Sequence, residues 1–192
     1  TDGFRGRANE GLNVDHAYKI GRFIGWYYGL RQARRARVIL GKDTRRSSYM
    51  FESALVSGLV ASGADAYILH VIPTPGVSYE VVDGAFDCGV MITASHNPFT
   101  DNGIKLVNKD GYKMEEKILK QLEDYIDNKF EVPLATGEQI GCTVDYMQGR
   151  NRYISSLIAS CGFSLQGMKI GLDCANGAAS SVARPVFDAL GA

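Results

Sequence analysis

The sequence has 192 residues, 45% of them hydrophobic, enough to bury the core of one domain and part of another. Lys plus Arg and Asp plus Glu both number 21, so no net field draws the chain to nucleic acid or to an acidic membrane, and a small, locally recognised partner is expected. With no apolar run long enough to span a membrane, no signal-like segment at its start, and four dispersed cysteines lacking a C-x-x-C pair, the chain reads as cytoplasmic with reduced thiols.

The chain opens on "TDGFRGR", Thr1 to Arg7, without a methionine, and is expected to be a piece of a longer protein. Arg5 lies between glycines, where backbone can approach an anion, although an arginine on a surface turn explains those residues more simply. Val14, Ala17, Ile20, Gly21, Ile24, Tyr27 and Tyr28 mark one face of a first helix. Arg37 to Leu40 is a short apolar run with the character of a buried strand. "GKDTRRSS", Gly41 to Ser48, then ends a strand and opens a helix whose buried face carries Met50, Ala54, Leu55, Gly58 and Leu59. Its amides and Arg45 suit a phosphate at the helix N-terminus, and capping by Ser47 or Ser48 explains the same residues.

A second strand covers Ala66 to Ile72, and Thr74-Pro75 is a cap-and-start signature for a short helix to about Val82. A third strand, Cys88 to Ile92, leads into "TASHNPFTDNGIK", Thr93 to Lys105. Pro98 biases Asn97 away from helical angles, so the loop holding Ser95 and His96 is expected to stay extended and exposed. Asp101-Asn102-Gly103 turns the chain back, and Lys105 faces away from Ile104 and Leu106 on the next strand. A cation ten residues after a serine suits an anion. A serine hydrolase is disfavoured, since no G-x-S-x-G elbow is present and His96 diverges from Ser95 on an extended backbone. On residue types alone, a polar loop without chemistry accounts for the cluster more simply.

Further on, a helix from Glu115 to Asn128, a loop from Lys129 to Gly141, a strand in "CTVDYM" and a helix from Gln148 to Cys161 are expected. Met168 to Cys174 reads as a fresh strand, followed by "ANGA" and a helix from Ser180 to Leu190. His16 and His70 have no metal-like partners. The pattern predicts an α/β fold: a layered mixed sheet with helices on both faces, in a domain of residues 1–160, and residues 161–192 as the incomplete start of a second domain.

Five ordered motifs, "TDGFRG", "GKDTR", "PTPG", "TASHNPFTDNGIK" and "DCANGA", resemble the α-D-phosphohexomutase superfamily, most closely the bacterial phosphoglucosamine mutases. The resemblance implies a phosphosugar mutase that interconverts glucosamine 6-phosphate and glucosamine 1-phosphate. Ser95 would be the phosphoserine, and a bisphosphorylated sugar the intermediate and primer, as glucosamine or glucose bisphosphate. Arg5 and Lys105 match the basic residues beside that serine, His96 and Asn97 would orient the phosphate or substrate, and Arg45 would bind phosphate. Mg²⁺ would be held by the phosphate on Ser95 and by aspartates of an Asp-Gly-Asp-Gly-Asp loop that this sequence lacks. The chain alone is therefore expected to be inactive, with a homodimer expected for the parent protein. A phosphomannomutase or phosphoglucomutase of the same superfamily, and a non-catalytic phosphate-binding module, are the other readings.

Overall fold

A computed structural model describes residues 3–192; Thr1 and Asp2 of the opening motif lie outside them. Six strands form one sheet: β1 (Phe4–Arg7), β2 (Arg37–Lys42), β3 (Asp65–Val71), β4 (Cys88–Ile92), β5 (Asp101–Asn108) and β6 (Thr143–Asp145). Their order across the sheet is β1-β5-β4-β2-β3-β6. β2 pairs in parallel with β3 and β4, and β6 with β3, while β5 runs antiparallel to both β4 and β1. The sheet is mixed, as the sequence pattern predicts.

The helices are α1 (Val14–Tyr28), α2 (Arg46–Ala61), α3 (Thr74–Asp83), α4 (Glu116–Ile126), α5 (Met147–Ser160) and α6 (Ala183–Ala189). From β2 the chain steps one way across the sheet to β3, then reverses to reach β4. Keeping both parallel crossovers right-handed requires α2 and α3 to lie on opposite faces. The two apolar clusters have this arrangement. Val38, Leu40, Val90 and Ile104 pack under α1, α2 and α4, whereas Ile39, Met91 and Val107 pack under α3 and α5. Successive strand residues thus serve different layers, the period of two that a pleated backbone imposes.

α1 and α2 cross closely because both carry glycine at the contact. A Cβ added at Gly58 would lie 2.2 Å from the Tyr18 carbonyl oxygen, and one at Gly21 would lie 2.3 Å from that of Leu55. On the opposite face, Glu80 of α3 is wholly buried and accepts a hydrogen bond from Arg152 of α5. Burial pushes its carboxyl above the ordinary range despite that cation.

Several boundaries differ from the sequence expectation. β1 was not foreseen, since "FRGR" is too polar to read as a strand, and its existence rests on pairing with β5. Neither Ser47 nor Ser48 caps α2: Arg45 holds the cap position, and the buried Ser48 hydroxyl donates to Asp43 instead. Pro73, not Thr74, precedes α3. The expected strand over 168–174 is not formed, because among the described residues no neighbouring strand supplies a ladder there. Met168, Ile170 and Leu172 are exposed along that segment. The last helix is shorter than expected and follows a 3-10 turn, Ala178–Ser181.

Candidate active site

Three loops leave the carboxyl ends of parallel strands and meet: residues 43–45 after β2, 72–73 after β3 and 93–100 after β4. In open α/β sheets this is the edge that holds ligands. Together with Ala175 to Ala179 they border an open cleft of about 620 Å³, onto which Asp43, Arg45, Arg46, Thr74, Ser95 and Asn97 open. The far wall is tied on by Thr44, whose hydroxyl donates to the Asn176 carbonyl at 2.8 Å.

Ser95 stands exposed at the cleft with φ +56°, a left-handed angle that residues bearing a Cβ seldom adopt. The loop does not run extended, as Pro98 alone suggests, but folds through two reverse turns. The Asn97 amide donates to the Ala94 carbonyl, and the Asp101 amide donates to that of Pro98. Both main-chain groups of Ser95 are tied inward. Its amide donates to Thr93 Oγ1 at 3.0 Å, and its carbonyl accepts from Arg45 at 2.8 Å. Its hydroxyl takes no hydrogen bond among the described residues and is left on the open side. Among the described residues no carboxylate or imidazole takes the proton of Ser95 Oγ, which a hydrolytic triad needs. His96 is exposed and borders no cavity described for the cleft.

Arg45 was expected to bind phosphate. Its side chain is only 10% exposed, and its donors point at protein: Nε to Asp43 Oδ2 at 2.9 Å, and the two terminal nitrogens to the carbonyls of Ser95, Asn97, Pro98 and Asp101. The neighbouring Arg46, at the first turn of α2, is exposed on the cleft and takes no partner among the described residues. Arg46 is therefore a cation open to a cleft anion, and no motif spacing singles it out. Lys42 of the same motif faces the other layer. It is 2% exposed, pairs with Glu52 of α2, and lies 4.1 Å from the centroid of the Tyr49 ring.

Phe4 packs into the α1/α2 layer, so Arg5 projects from the opposite face, opposite Gly103 of β5. Its Nη1 donates to Asn97 Oδ1 at 3.2 Å, and Asn97 in turn donates to Asp101 Oδ2 at 2.9 Å. Among the described residues Arg5 Nε has no hydrogen-bond partner, and it is shielded from solvent, so the guanidinium reaches the site through its charge and not through that atom. Lys105 shares this face, diagonal to Arg5 across the β1/β5 ladder, a relation that separates backbones by about 7–8 Å and lets long side chains meet. It borders a smaller pocket of about 140 Å³ that shares Thr74 with the main cleft. The structure thus gathers Ser95, Asn97 and Arg5, sets Lys105 beside them, turns Arg45 inward and leaves His96 apart.

The Mg²⁺ implied by the resemblance finds no ligand set among the described residues. No group of three or more His, Cys, Asp or Glu side chains stands together. Asp43, the acid in the cleft, has both oxygens engaged, Oδ1 by Ser48 and the Arg45 amide and Oδ2 by Thr93 and Arg45 Nε. These residues do not fit a Mg²⁺ site by themselves, since that ion demands a near-octahedral shell of oxygens.

Comparison with known proteins agrees with this fold. The family described as "Phosphoglucomutase/phosphomannomutase, alpha/beta/alpha domain I" matches residues 1–132. A phosphoglucosamine mutase of Lachnoclostridium phytofermentans is 63% identical over 193 residues, and one of Lachnospira eligens is 58% identical over 194. Each alignment covers 100% of this chain and 43% of the relative, so the chain spans less than half the length of these curated relatives. The crystal structure of a phosphoglucomutase/phosphomannomutase family protein from Burkholderia thailandensis superposes with a TM-score of 0.79 at 26% identity, covering 97% of this chain and 40% of that one.

Proposed function

The chain belongs to the phosphoglucomutase/phosphomannomutase family, and from that premise we propose that it carries the phosphoserine part of a mutase acting on glucosamine phosphate. The observation that carries this reading is Ser95 itself: an exposed hydroxyl with no hydrogen-bond partner among the described residues, on a turn whose backbone is tied down on both sides, with the Arg5 guanidinium held on Asn97 two residues away. The two relatives of 63% and 58% identity, both phosphoglucosamine mutases, support glucosamine as the sugar.

In the proposed reaction, the bond between phosphorus and Ser95 Oγ breaks while a new P–O bond forms to the free hydroxyl of a sugar monophosphate, which gives up its proton. The bisphosphorylated sugar then returns its other phosphoryl group to Ser95 Oγ, and a 6-phosphate becomes a 1-phosphate. Transfer of this kind asks the protein for position and positive charge more than for covalent chemistry. The charge of the Arg5 guanidinium would help neutralise the moving phosphoryl group, and Asn97 holds Arg5 in place. Lys105, beside them on β5, would relay the hydroxyl proton. His96, on the solvent side of the loop, would meet the substrate only as it enters. The phosphate on Ser95 would give Mg²⁺ one oxygen, the other ligands belonging to protein beyond this chain. We further propose residues 1–160 as the phosphoserine domain and 161–192 as part of the next, in a cytoplasmic enzyme that pairs as a homodimer.

A second reading, mannose or glucose phosphate as substrate, is favoured by the structural likeness to the Burkholderia thailandensis protein. The test is turnover of the full-length parent on glucosamine, mannose and glucose 6-phosphates, for the wild type and Lys105→Met. Preference for glucosamine 6-phosphate is expected, with kcat about 10²-fold lower in the variant. Preference for mannose 6-phosphate would overturn the substrate, and an unchanged kcat the role of Lys105. No turnover on any of the three would favour a non-catalytic phosphate-binding module.

A further inference from the structure

The guanidinium of Arg45 has five N–H donors, and each has an acceptor in the protein. Nε donates to Asp43 Oδ2, Nη1 to the Pro98 and Asp101 carbonyls, and Nη2 to those of Ser95 and Asn97. Four carbonyls between residues 95 and 101 converge on a single cation whose side chain is largely shielded from solvent. Such a fold of the loop is stable only with the cation present, because four like-oriented dipoles repel and would otherwise lack partners. Lysine, with three donors on a point charge, cannot satisfy the same five directions.

Asp43 completes the arrangement. Its Oδ2 accepts from Arg45 Nε and also from the Thr93 hydroxyl at 2.7 Å, and Thr93 Oγ1 accepts from the Ser95 amide. One carboxylate therefore holds Ser95 by two arms, its N–H through Thr93 and its C=O through Arg45. The residue so gripped is the one with φ +56°, whose strained angle persists only where surrounding bonds over-determine it.

We propose that Arg45, oriented by Asp43, is a positioning residue that holds Ser95 in its transfer geometry, and that it makes no contact with substrate phosphate. This rests on the reading of Ser95 as the phosphoryl carrier. Misplacing a reacting atom by about 1 Å can lower a rate about 10²-fold without weakening substrate binding.

The experiment uses the full-length parent with Arg45→Ala and Arg45→Lys, primed with glucose 1,6-bisphosphate. Arg45→Ala is expected to lower kcat about 10²-fold with KM for the sugar phosphate changed less than about threefold. Arg45→Lys should fall between Arg45→Ala and the wild type, and added guanidinium ion should restore at least about tenfold of the Arg45→Ala loss while leaving the wild type unaffected. A large rise in KM with kcat retained would make Arg45 a phosphate ligand and overturn the proposal, as would no change in either constant. Should Arg45→Ala fail to fold, the same split of kcat against KM in Arg45→Lys decides. Hydrogen exchange at the Ser95, Asn97 and Asp101 amides supplies a readout independent of activity. Faster exchange in Arg45→Lys supports the clamp, and unchanged protection contradicts it. If the wild type turns over without phosphate ever reaching Ser95, the carrier reading fails, while the exchange result still judges the clamp.

Discussion

Replacing Ser95 by alanine in the full-length parent is expected to lower mutase turnover by on the order of 10³-fold or more, even with a sugar bisphosphate present as primer. The hydroxyl is the only atom removed. Because it takes no hydrogen bond among the described residues, the protein loses no internal contact with it. Both arms that hold the turn act on the backbone of residue 95 and survive the change. Thermal stability should therefore move by no more than about 0.5 kcal/mol, as for surface substitutions generally. A steady-state assay with a melting curve on the same sample separates the cases. Wild-type turnover from a folded Ser95→Ala protein is incompatible with a phosphoserine carrier, whereas lost turnover with lost folding would mean that the hydroxyl has a structural part the geometry does not show.

Gly58→Ala should have the largest effect on stability. In an exposed helix the change would be favourable by about 1 kcal/mol, since alanine is the better helix former. At this crossing the new methyl would meet the Tyr18 carbonyl oxygen at 2.2 Å and the Arg22 amide nitrogen at 2.8 Å. Both are backbone of α1, so no flexible side chain can give way. Overpacking of this kind costs about 3 kcal/mol, which outweighs the propensity gain. The net loss of about 2 kcal/mol corresponds to a fall in Tm of roughly 4–8 °C for a chain of this size. Calorimetry of the variant checks it, and an equal or higher Tm would mean that α1 and α2 separate more easily than their packing indicates.

Much of this architecture was legible in the residues. The helical spacing of Val14 to Tyr28 and of Met50 to Leu59 gave α1 and α2 together with the glycines at their crossing, because those positions repeat at 3.6 residues and, apart from the exposed Val14, face one layer. β1 was not legible. Its four residues carry two arginines and a glycine, and it is a strand only because β5 lies beside it, a contact nearly 100 positions away in the chain. The same limit applies to Ala175 to Ala179, which follow an expected strand in the sequence and form a wall of the cleft in the structure.

Within the site, motif spacing singled out Ser95, but residue type could not separate Arg45 from Arg46. Adjacent arginines are alike on paper. What distinguishes them is that Arg45 has extended backbone angles just ahead of α2, aiming its side chain at the serine loop, while Arg46 is the first helical residue. A signal did exist for Lys42. It follows Leu40 at a spacing of two, so it shares the face of β2 that packs under α2 and not the loop edge above. Asp43 and Thr93 were overlooked because their work is done on backbone and on other side chains, which no motif records.

The central claim is that Ser95 Oγ carries the phosphoryl group between turnovers. Full-length protein freed of phosphate, incubated with glucosamine or glucose 1,6-bisphosphate and examined by intact-mass spectrometry with peptide mapping, tests it most directly. The expected result is a gain of one phosphoryl group located on Ser95 and lost again when sugar monophosphate is added. A protein that turns substrate over while Ser95 stays unmodified, or that carries its phosphate on another residue, would contradict it.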